Sequence, residues 1–547
     1  MVRIFCVNNG ETKNFQSGTT LLQISKEFSL GLSYEAVAAL VNNEVKGLDF
    51  RVYNHKDVEF LDITSDDGMR MYVRSLTFVM MKALNELFPG QTVRFENPIS
   101  KGYYCRLDGE IDEAQVAQVR ELMQQIIDED TPFHRVDCRT SEAIEIFENL
   151  GREDRVRLLK TYNYLYTSYY KLGDYIDHYY EGLLPSAGYI KVFEIEKFAD
   201  GVLLRVPNQD CPTTLEDKVP QEKLQERFRE RLRWHQIMGV ETIGDFNLAM
   251  NLGHEVDLVN IAEALQEKSF SAMADAVKER GARVVLIAGP SSSGKTTSSK
   301  RLSVHLLACG LKPVAVSLDD FFVDREKSPR KPNGEYDFES IYSIDLPYFN
   351  ETLTRILSGE EVELPYYNFV TGRREYRGNK IKLNAQMVLV IEGTHGLNPM
   401  LTQQVPEKEK FRIYVSALTS MKLDYHNYIS TSDTRLLRRI IRDAKYRGFS
   451  AVETINRWPS VRAGEEVWIF PYQENADVMF NSSLLYELAA FKSQAEPMLR
   501  AVPQTCREYS VARRLLRFLD YIVPLRENIL PLTSVMREFL GGSTFTY

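Results

Sequence analysis

An eight-residue loop at positions 289–296 strongly constrains the fold and the function of this chain. The loop follows the pattern G-x-x-x-x-G-K-[ST], in the order Gly289, Pro290, Ser291, Ser292, Ser293, Gly294, Lys295 and Thr296. Its two glycines permit a backbone path on which successive N–H groups turn toward anionic oxygens. Lys295 can reach the β- and γ-phosphates of a nucleotide, and the hydroxyl of Thr296 can bind Mg²⁺. The pattern predicts a phosphate-binding loop; the alternative is a Ser/Gly turn that arose by chance.

The residues around the loop favour the phosphate-binding interpretation. Residues 283–288 form a short apolar run rich in β-branched side chains, which is typical of a buried parallel strand. Residues 296–307 place apolar side chains at helical spacing, and Gly310 follows as a stop signal. ATP is therefore the predicted cofactor, and Thr297 joins the loop in the predicted cofactor-binding set.

Length and composition describe a globular protein of several domains. A chain of 547 residues exceeds what one hydrophobic core organises, so three or four domains are expected. The formal net charge of −9 argues against a protein that coats nucleic acid. The six cysteines never form C-x-x-C, and the sequence shows no signal-peptide core and no apolar stretch of about eighteen residues. We expect a cytoplasmic protein that does not contact a membrane.

Residues 1–65 predict a compact ββαββ unit. Strands are predicted at residues 2–7, toward Phe15, at 39–45 and at 57–63, and Thr20 with Gln23 forms a capping box that begins the helix. This unit resembles the TGS domain, a β-grasp module at the front of threonyl-tRNA synthetases and some translation-linked GTPases. The resemblance implies a weak RNA or protein partner. A docking scaffold is the alternative, because no cluster of Lys/Arg with aromatic side chains stands out.

Residues 66–256 mix helices and strands and extend the synthetase resemblance. The stretches 72–78, 88–90 and 177–193 resemble the second, editing-type domain of threonyl-tRNA synthetase. That family hydrolyses mischarged tRNA with a His-x-x-x-His pair and a later Cys/His pair. The residues at these four positions can serve neither as zinc ligands nor as general bases: Arg74, Phe78, Tyr179 and Leu183. We expect neither zinc nor editing chemistry, and we interpret the adjacent His178 as structural.

Acidic side chains follow two of the apolar runs beyond the loop. Residues 313–318 end at Asp319 and Asp320, and residues 387–391 end at Glu392. Ligands collect at the carboxyl ends of strands in open α/β sheets, so these carboxylates are placed to take a hydroxyl proton or to hold Mg²⁺. The predicted strands alternate with helices, which implies a parallel sheet covered on both faces: 283–288, 313–318, 387–391, 411–415 and 476–480.

Arginines cluster between the last two predicted strands. Arg435, Arg439 and Arg442 fall at i, i+4 and i+7 on one helical face, and Arg447 lies just beyond. An isolated row of arginines is usually a solvated surface. Phosphoryl transfer spreads negative charge over oxygens that guanidinium groups neutralise, so a phosphate-binding domain favours an arginine-bearing lid instead.

These segments together give residues 281–490 a family resemblance. The region resembles the uridine kinase/phosphoribulokinase family in the loop and in six further stretches: 319–322, 338–345, 364–369, 391–393, 438–448 and 476–478. The resemblance implies that Asp319 deprotonates the acceptor hydroxyl and that Thr296 and Glu392 serve the metal. It also implies that arginines close over the phosphates: Arg439, Arg442 and Arg447. The catalytic set is then Lys295, Asp319, Arg439 and Arg442, and the predicted acceptor-binding set is Asp319, Glu339, Tyr367, Arg374 and Arg439.

Three positions depart from the uridine-kinase pattern. Where that family has an aspartate that holds the ribose hydroxyls, this chain has Glu339. Where the family has a histidine that helps read the pyrimidine, this chain has Gly372, and the arginine that follows the lid's Arg-Gly is replaced by Phe449. A glycine cannot donate a side-chain hydrogen bond to a base, although Arg373 and Arg374 bring donors nearby. We therefore expect either relaxed nucleoside preference or a different, polyol-type acceptor.

Two helical regions complete the chain. An amphipathic pattern over residues 257–280 predicts a helix that connects the two halves without a Gly/Ser-rich linker. Residues 491–547 predict a helical extension with an apolar face. The extension is expected to pack on the kinase-like core or on a partner subunit, which leaves a homo-oligomer open.

The predicted fold class is α/β: a P-loop NTPase parallel sheet with helices on both faces, preceded by a β-grasp domain and an α+β synthetase-like domain. The leading hypothesis for function is an ATP- and Mg²⁺-dependent kinase that phosphorylates a hydroxyl of a uridine-like nucleoside or similar small molecule. The alternative is a nucleotide-switched regulatory ATPase, associated with RNA or the ribosome through the front half. A regulator needs no acceptor pocket, so Asp319, Glu339 and Tyr367 favour the kinase.

Overall fold

The computed structural model describes residues 1–419 and 421–546, and it begins with a small mixed sheet. Its elements are β1 (Val2–Cys6), β2 (Thr12–Phe15), β3 (Thr19–Thr20), α1 (Leu21–Ser25), β4 (Ala38–Val41), β5 (Glu44–Gly47), β6 (Arg51–Val52) and β7 (Lys56–Leu61). The five main strands follow the order β2-β1-β7-β4-β5, and β1 pairs with β7 in parallel. The capping box of Thr20 with Gln23 begins α1 as predicted.

The strand predicted over residues 39–45 is in fact a hairpin. β4 and β5 pair antiparallel around Asn42 and Asn43, whose φ angles are 48° and 61°. Two consecutive left-handed residues make the type I′ turn that matches the twist of hairpin strands, and asparagine tolerates this conformation. The apolar pattern alone did not reveal this reversal of the chain.

The second region builds antiparallel sheets and covers them with helices. Its elements are α2 (Asp66–Leu87), β8 (Val93–Ile99), β9 (Gly102–Leu107), α3 (Glu113–Asp128), β10 (Phe133–Arg139), α4 (Thr140–Asn149), α5 (Glu153–Lys160), β11 (Tyr166–Leu172), β12 (Tyr175–Asp177), β13 (Glu194–Phe198), β14 (Gly201–Arg205), α6 (Glu222–Met238) and α7 (Ile243–Asn251). The sheets have the orders β13-β14-β9-β8 and β10-β11-β12. The predicted connecting helix follows as α8 (Glu255–Arg280) and ends at Gly281, whose φ is 65°.

The third region is a parallel sheet with helices on both faces, as predicted. Its elements are β15 (Val284–Ala288), α9 (Lys295–Ala308), β16 (Lys312–Ser317), α10 (Leu346–Leu357), β17 (Val362–Asn368), β18 (Arg373–Ile381), β19 (Met387–Glu392), β20 (Lys410–Ser416), α11 (Thr431–Tyr446), α12 (Ala451–Trp468) and β21 (Val478–Asn481). The main sheet has the order β16-β19-β15-β20-β21, and each neighbouring pair runs parallel. β17 and β18 form a separate antiparallel hairpin.

Alternation along β15 explains the two covered faces. Val284 and Leu286 lie in one buried cluster with side chains of α10, while Val285 and Ile287 lie in another with side chains of α8 and α9. Successive strand residues point to opposite faces, so a strand that is apolar at every position must be covered on both sides.

The C-terminal extension packs against the rest of the chain. It contains α13 (Glu487–Arg500), α14 (Tyr509–Leu519) and α15 (Arg537–Leu540), and the last residue of the predicted 491–547 segment lies outside the described residues. One buried cluster contains residues of α5, α7, α8, α11, α13 and α14, so apolar contact is continuous across the predicted domain boundaries. Within the described ranges, every helix is too short or too polar to span a bilayer.

Candidate active site

The phosphate-binding loop lies where β15 ends and α9 begins. Because α9 starts at Lys295, the amides of its first turn have no partner inside the helix. Ser292 and Gly294 have left-handed φ angles of 58° and 85°, which bend the loop around the helix end. The helix dipole and the first-turn amides favour an anion at this point. Lys295 Nζ donates to the Pro290 carbonyl oxygen at 3.1 Å, so the lysine folds back over the loop.

Close neighbours leave no room for a side chain at two glycines of the loop. A Cβ on Gly289 would overlap the carbonyl oxygen of Val415 at the end of β20. A Cβ on Gly294 would lie 2.7 Å from Cγ1 of Val535, which belongs to the C-terminal extension. The loop is therefore enclosed by the sheet on one side and by the extension on another.

Strand register brings the predicted carboxylates to one edge of the sheet. β16 and β19 pair in parallel with Ser317 opposite Glu392, so Asp319 follows one strand end beside the other. Oε1 of Glu392 lies 3.4 Å from Oγ1 of Thr296. The two predicted metal ligands therefore lie side by side at the start of α9.

Asp319 and Asp320 have different surroundings. Oδ1 of Asp320 accepts the backbone N–H of Tyr367 at 3.1 Å, which attaches the turn after β16 to β17. The carboxylate of Asp319 accepts no hydrogen bond from the residues that the structure describes, and it keeps contact with solvent. Asp319 is thus the carboxylate left available for a substrate hydroxyl.

The cleft shifts the pKa values of its titratable groups. Burial raises the pKa of Glu392 to about 7; Lys295 opposes this shift, and Asp319 and Glu538 add to it. Asp319 touches solvent, yet the walls of the cleft surround it, and this partial desolvation raises its pKa against the attraction of Lys295 and Arg447. Burial lowers the pKa of Lys295 although three carboxylates surround it. Opposed shifts of this kind in one cleft are typical of active sites.

Three arginines of α11 contact the phosphate-binding loop. Arg435 Nε donates to the Ser291 carbonyl oxygen at 2.9 Å, and Arg438 Nη1 donates to that of Ser292 at 3.4 Å. Both guanidinium groups are fully buried, so they hold the loop in place. Arg439 Nη1 donates to the Ser291 hydroxyl at 2.7 Å, and its side chain stays partly open. Of the predicted lid arginines, Arg439 is the one at the loop surface.

Arg442 and Arg447 lie beside Asp443 instead of the loop. Arg442 Nη2 is 2.9 Å and Arg447 Nη1 is 3.4 Å from Oδ1 of this carboxylate, which is 2% exposed. Their predicted contact with phosphates stays a prediction. Arg447 is nevertheless close enough to Asp319 to affect its charge state.

Glu339 lies near Arg439 and beneath α12. A Cβ on Gly464 of α12 would overlap the Cβ of Glu339, so the two chains touch. Burial raises the pKa of Glu339, against the attraction of Arg439. His395 is a further member of this group that the sequence did not suggest: burial lowers its pKa to about 4, so it is neutral, and it contacts the backbone of Glu339.

Arg374 of β18 contacts groups of the protein near Asp319. Its Nη2 donates to the carbonyl oxygen of Phe322 at 3.2 Å and to Oδ2 of Asp345 at 3.1 Å, and its guanidinium lies over the Tyr348 ring. Arg374 therefore fixes the segment after Asp319, and its predicted role in acceptor binding stays a prediction.

Tyr367 and Gly372 belong to the β17–β18 hairpin. The Tyr367 ring packs edge-on against Phe322 and Phe369, with centroids 5.6 Å and 5.1 Å apart, and is 3% exposed. Gly372 has φ of 69°, and a Cβ there would lie 2.8 Å from the Cβ of Arg325. The space that a side chain at 372 would need is thus filled by Arg325.

Two carboxylates that the sequence did not suggest bind amides of the loop region. Glu465 of α12 accepts the backbone N–H of Ser291 at 2.9 Å, and Arg435 forms an ion pair with it. Glu538 of α15 accepts the N–H of Thr297 at 3.0 Å and its hydroxyl at 2.7 Å. Both lie far along the chain from residues 289–296, so no local pattern announces them.

The four residues at the synthetase editing positions lie together in the front half. The rings of Phe78 and Tyr179 have centroids 5.4 Å apart, and Leu183 is buried in the same cluster. Arg74 donates to the Gly182 carbonyl oxygen at 3.0 Å and pairs with Glu181. Within residues 1–419 and 421–546, no group of three or more His, Cys, Asp or Glu side chains is arranged to hold a metal ion.

His178 connects three parts of the molecule. Its Nδ1 lies 3.2 Å from Asp424 in the loop before α11, and its Nε2 lies 3.2 Å from the Tyr521 hydroxyl in the extension. Next to it, Asp177 pairs with Arg155 at 2.8 Å and with His426. These groups are all buried, which agrees with the structural interpretation of His178.

A strand, a phosphate-binding loop and a helix, with carboxylates at two neighbouring strand ends and arginines on the loop, define a P-loop domain of the kinase type. Residues 284–486 match the model of the Phosphoribulokinase / Uridine kinase family. The C-terminal half therefore carries a domain of this family, behind a front half that matches threonine–tRNA ligases.

The curated relatives share only part of their length with this chain. The threonine–tRNA ligase of Desulforamulus reducens is 30% identical over 202 residues, which are 36% of this chain and 32% of that protein. The ligase of Marinobacter nauticus is 25% identical over 199 residues, 36% of this chain and 31% of that protein. The chain thus spans about a third of the length of these relatives, as a shared front half predicts.

Two of the solved structures that are similar to this chain have kinase titles and low identity. "A Possible Uridine Kinase" from Bacillus stearothermophilus has 20% identity over 37% of this chain and 89% of that chain, with a TM-score of 0.25. The D-glycerate 3-kinase of Cryptococcus neoformans has 16% identity over 46% of this chain and 87% of that chain, with a TM-score of 0.22. Because both scores lie below 0.5, the functional conclusions rest on the family match and on the site itself.

Proposed function

We propose that this protein is an ATP-dependent kinase that transfers the γ-phosphate to a hydroxyl of a nucleoside-like small molecule. The observation that carries the proposal is Asp319. Its carboxylate stands at a strand end beside Lys295, Glu392 and the phosphate-binding loop, and it accepts no hydrogen bond from the described residues. A regulator that only binds nucleotide has no need of a free carboxylate there, whereas a kinase needs a group that accepts the hydroxyl proton.

The nucleotide would bind at residues 289–296. Its phosphates would meet the first-turn amides of α9, the ammonium group of Lys295 and the guanidinium of Arg439. Lys295 now donates to the Pro290 carbonyl oxygen, and a phosphate would give it a stronger, charged partner. These contacts favour a polyphosphate over a singly charged ligand.

A magnesium ion fits beside the loop. Thr296 Oγ1 and Glu392 Oε1 lie 3.4 Å apart and are the oxygen ligands that Mg²⁺ prefers. Burial raises the pKa of Glu392 to about 7, and the nearby carboxylates of Asp319 and Glu538 add to this shift; a divalent cation would balance their charge. When bound, Mg²⁺ would supply neutralisation of the phosphate charge.

The proposed transfer is a single displacement. The acceptor hydroxyl oxygen forms a bond to the γ-phosphorus while Asp319 takes the hydroxyl proton. At the same time, the bond between the γ-phosphorus and the bridging oxygen breaks, and that oxygen leaves with ADP. Lys295 and Arg439 stabilise the negative charge on the transferring group. The products are ADP and a phosphate monoester.

A ribose-like acceptor suits the groups beyond Asp319. Glu339 offers a carboxylate that can accept hydrogen bonds from two neighbouring hydroxyls. Gly372 supplies no side chain to read a base, and Arg325 occupies the adjacent space. We expect recognition of the sugar to dominate over recognition of the base, because a site without hydrogen bonds to the base discriminates weakly.

A second candidate function is a nucleotide-switched regulator that acts through the front half. Its support is the match of that half to threonine–tRNA ligases and the buried contacts of His178 with the loop before α11. Through these contacts, the front half touches the loop that leads into α11, the helix that carries the arginines.

A panel of acceptors tests the proposed function. The purified full chain would be incubated with ATP and Mg²⁺ and with ribonucleosides, deoxyribonucleosides and sugar phosphates, and new phosphate monoesters would be detected by mass. We expect several ribonucleosides to be phosphorylated at similar rates. Preference for uridine by more than about a thousandfold would contradict weak base recognition. Absence of any monoester, together with RNA-stimulated ATP hydrolysis, would favour the regulator.

A further inference from the structure

The C-terminal extension contributes a carboxylate to the phosphate-binding site. Glu538 Oε2 accepts the backbone N–H of Thr297 at 3.0 Å and the hydroxyl of the same residue at 2.7 Å. Thr297 is the third residue of α9, so this N–H is one of the first-turn donors that an anion would use. Glu538 lies outside residues 284–486, and the family match therefore assigns it nothing.

The segment that carries Glu538 is firmly packed. Val535, Met536 and Phe539 are each 0% exposed. Val535 packs against Gly294, and the Phe539 ring lies 5.1 Å from the guanidinium carbon of Arg438. The packing of these side chains and the bond from Thr297 to Glu538 together hold α15 between α9 and α11, so loss of that bond is expected to loosen α15.

Glu538 has no ion-pair partner among the described residues. Among the residues that the structure describes, no Lys, Arg or His lies within ion-pair distance of its carboxylate, which belongs to a residue only 9% exposed. Glu465, the other carboxylate at the loop, is instead paired with Arg435 and Arg462. Glu465 is thus a fixed support, whereas Glu538 depends on Thr297 for its hydrogen bonds.

We propose that Glu538 is a built-in competitor of the nucleotide. Its carboxylate takes the donors of Thr297 in the absence of nucleotide and has to release them when a phosphate group binds. An anionic carboxylate and a phosphate cannot share these donors, because like charges at hydrogen-bond distance repel strongly where water is excluded. The C-terminal extension thereby weakens nucleotide binding and connects it to the packing of α15. This inference rests on the nucleotide-binding part of the proposed function and is independent of the acceptor.

Direct measurement of nucleotide binding tests the competitor. ATP and ADP would be titrated calorimetrically into the full chain, into Glu538→Gln and into the control Glu527→Gln. Glutamine keeps the shape of the side chain and removes its charge, so we expect Glu538→Gln to bind both nucleotides about tenfold more tightly. Glu527 is in the same extension and binds Gln494 instead of α9, so its variant should match the unmodified protein. Equal or weaker binding by Glu538→Gln would overturn the proposal.

A second measurement needs no substitution. Hydrogen exchange of the unmodified protein would be followed in peptides that cover residues 534–541, with and without saturating ADP. Loss of the bond from Thr297 to Glu538 should speed exchange in α15, and unchanged or slower exchange would contradict the release step. Neither experiment contains an acceptor. Tighter binding by Glu538→Gln, together with no monoester from any member of the acceptor panel, would leave the competitor standing and would refute the kinase.

Discussion

Asp319 and Asp320 are adjacent in sequence, yet the structure gives them different chemistry. The carboxylate of Asp320 accepts a hydrogen bond from the N–H of Tyr367. The carboxylate of Asp319 accepts none from the described residues and lies in the cleft near Lys295 and Arg447. The sequence placed both residues at a strand end, and only the position of the β17–β18 hairpin distinguishes them. The choice between two neighbouring carboxylates thus depends on a tertiary contact.

Substitutions at Lys295 and Asp319 should separate binding from transfer. Lys295→Ala removes the cation that faces the phosphates, so ATP binding and turnover should both collapse. Asp319→Asn keeps the size of the side chain but cannot take a proton, so ATP should still bind while kcat falls by about 10²- to 10⁴-fold. Calorimetry and steady-state kinetics with saturating acceptor provide the two readouts. Near-normal turnover of Asp319→Asn would indicate that Asp320 or a water molecule is the general base instead.

Glu392 should make the nucleotide-free protein less stable at alkaline pH. Its folded pKa of about 7 lies above the ordinary value of 4.5, so the folded state binds more protons between these values. The free energy of unfolding therefore falls as the pH rises from about 4.5 to 7, and the full cost is present above pH 7. Glu392→Gln removes this cost and should stabilise the protein by about 1–3 kcal/mol at pH 8.

Chemical denaturation without nucleotide or metal measures this effect. The two proteins should differ at pH 8 and have nearly equal stability at pH 4, where Glu392 is protonated in both the folded and the unfolded state. A Glu392→Gln variant that is less stable at pH 8 would mean that the carboxylate is held by favourable contacts instead of being stressed by burial.

At the scale of elements, helix α11 shows what sequence periodicity can and cannot provide. The spacing of Arg435, Arg439 and Arg442 indicated a helix, and Arg435 and Arg439 contact the loop. It did not indicate that Arg435 would be buried against Glu465, or that Arg442 would pair with Asp443. Periodicity fixes the face of a helix, but it does not identify the partners: Glu465 comes from α12, and Asp443 is the neighbour of Arg442 in α11 itself.

Arg439 should matter more for turnover than the other lid arginines. Arg439→Ala removes the guanidinium closest to the loop surface, and we expect kcat to fall by about 10²-fold with ATP binding reduced less. Arg500→Ala is the matched control, because Arg500 pairs with Glu496 on α13 and has no contact with the loop. An effect of Arg447→Ala larger than that of Arg439→Ala would indicate that the end of α11 moves onto the phosphates.

The phosphate-binding strand, loop and helix were all predictable, because their signals are local: an apolar run, a glycine pattern and a helical period. The two carboxylates Glu465 and Glu538 were not, since they reach the loop from α12 and α15. The hairpin turn at Asn42 and Asn43 was missed for a similar reason. Each depends on backbone direction or on a distant partner, which hydrophobic periodicity does not report.

At the scale of the whole molecule, the front half and the kinase-type domain share buried polar contacts. In the front half, Asp177 pairs with Arg155 and also with His426 of the loop before α11, and His178 meets Asp424 of the same loop. A buried ionic group that loses one partner leaves an uncompensated charge, which costs several kcal/mol. The two halves should therefore unfold together, in agreement with the absence of a flexible linker.

The front half should carry neither zinc nor deacylation activity. Phe78, Tyr179 and Leu183 pack as an apolar cluster at the positions where the synthetase family has metal ligands, and Arg74 is engaged by Glu181 and Gly182. Elemental analysis of the purified full chain should find less than one zinc per molecule, and mischarged tRNA should remain intact. One tightly held zinc per chain would overturn the assignment of these positions.

The central claim is that the chain passes the γ-phosphate of ATP to a small-molecule hydroxyl. The most direct measurement follows ADP and phosphate monoester in the same reaction, with the best acceptor of the panel at saturation, for the unmodified chain and for Asp319→Asn. We predict one monoester for each ADP in the unmodified chain and a parallel loss of both products in the variant. ADP released with free phosphate and no monoester, at a rate that Asp319→Asn leaves unchanged, would contradict the claim.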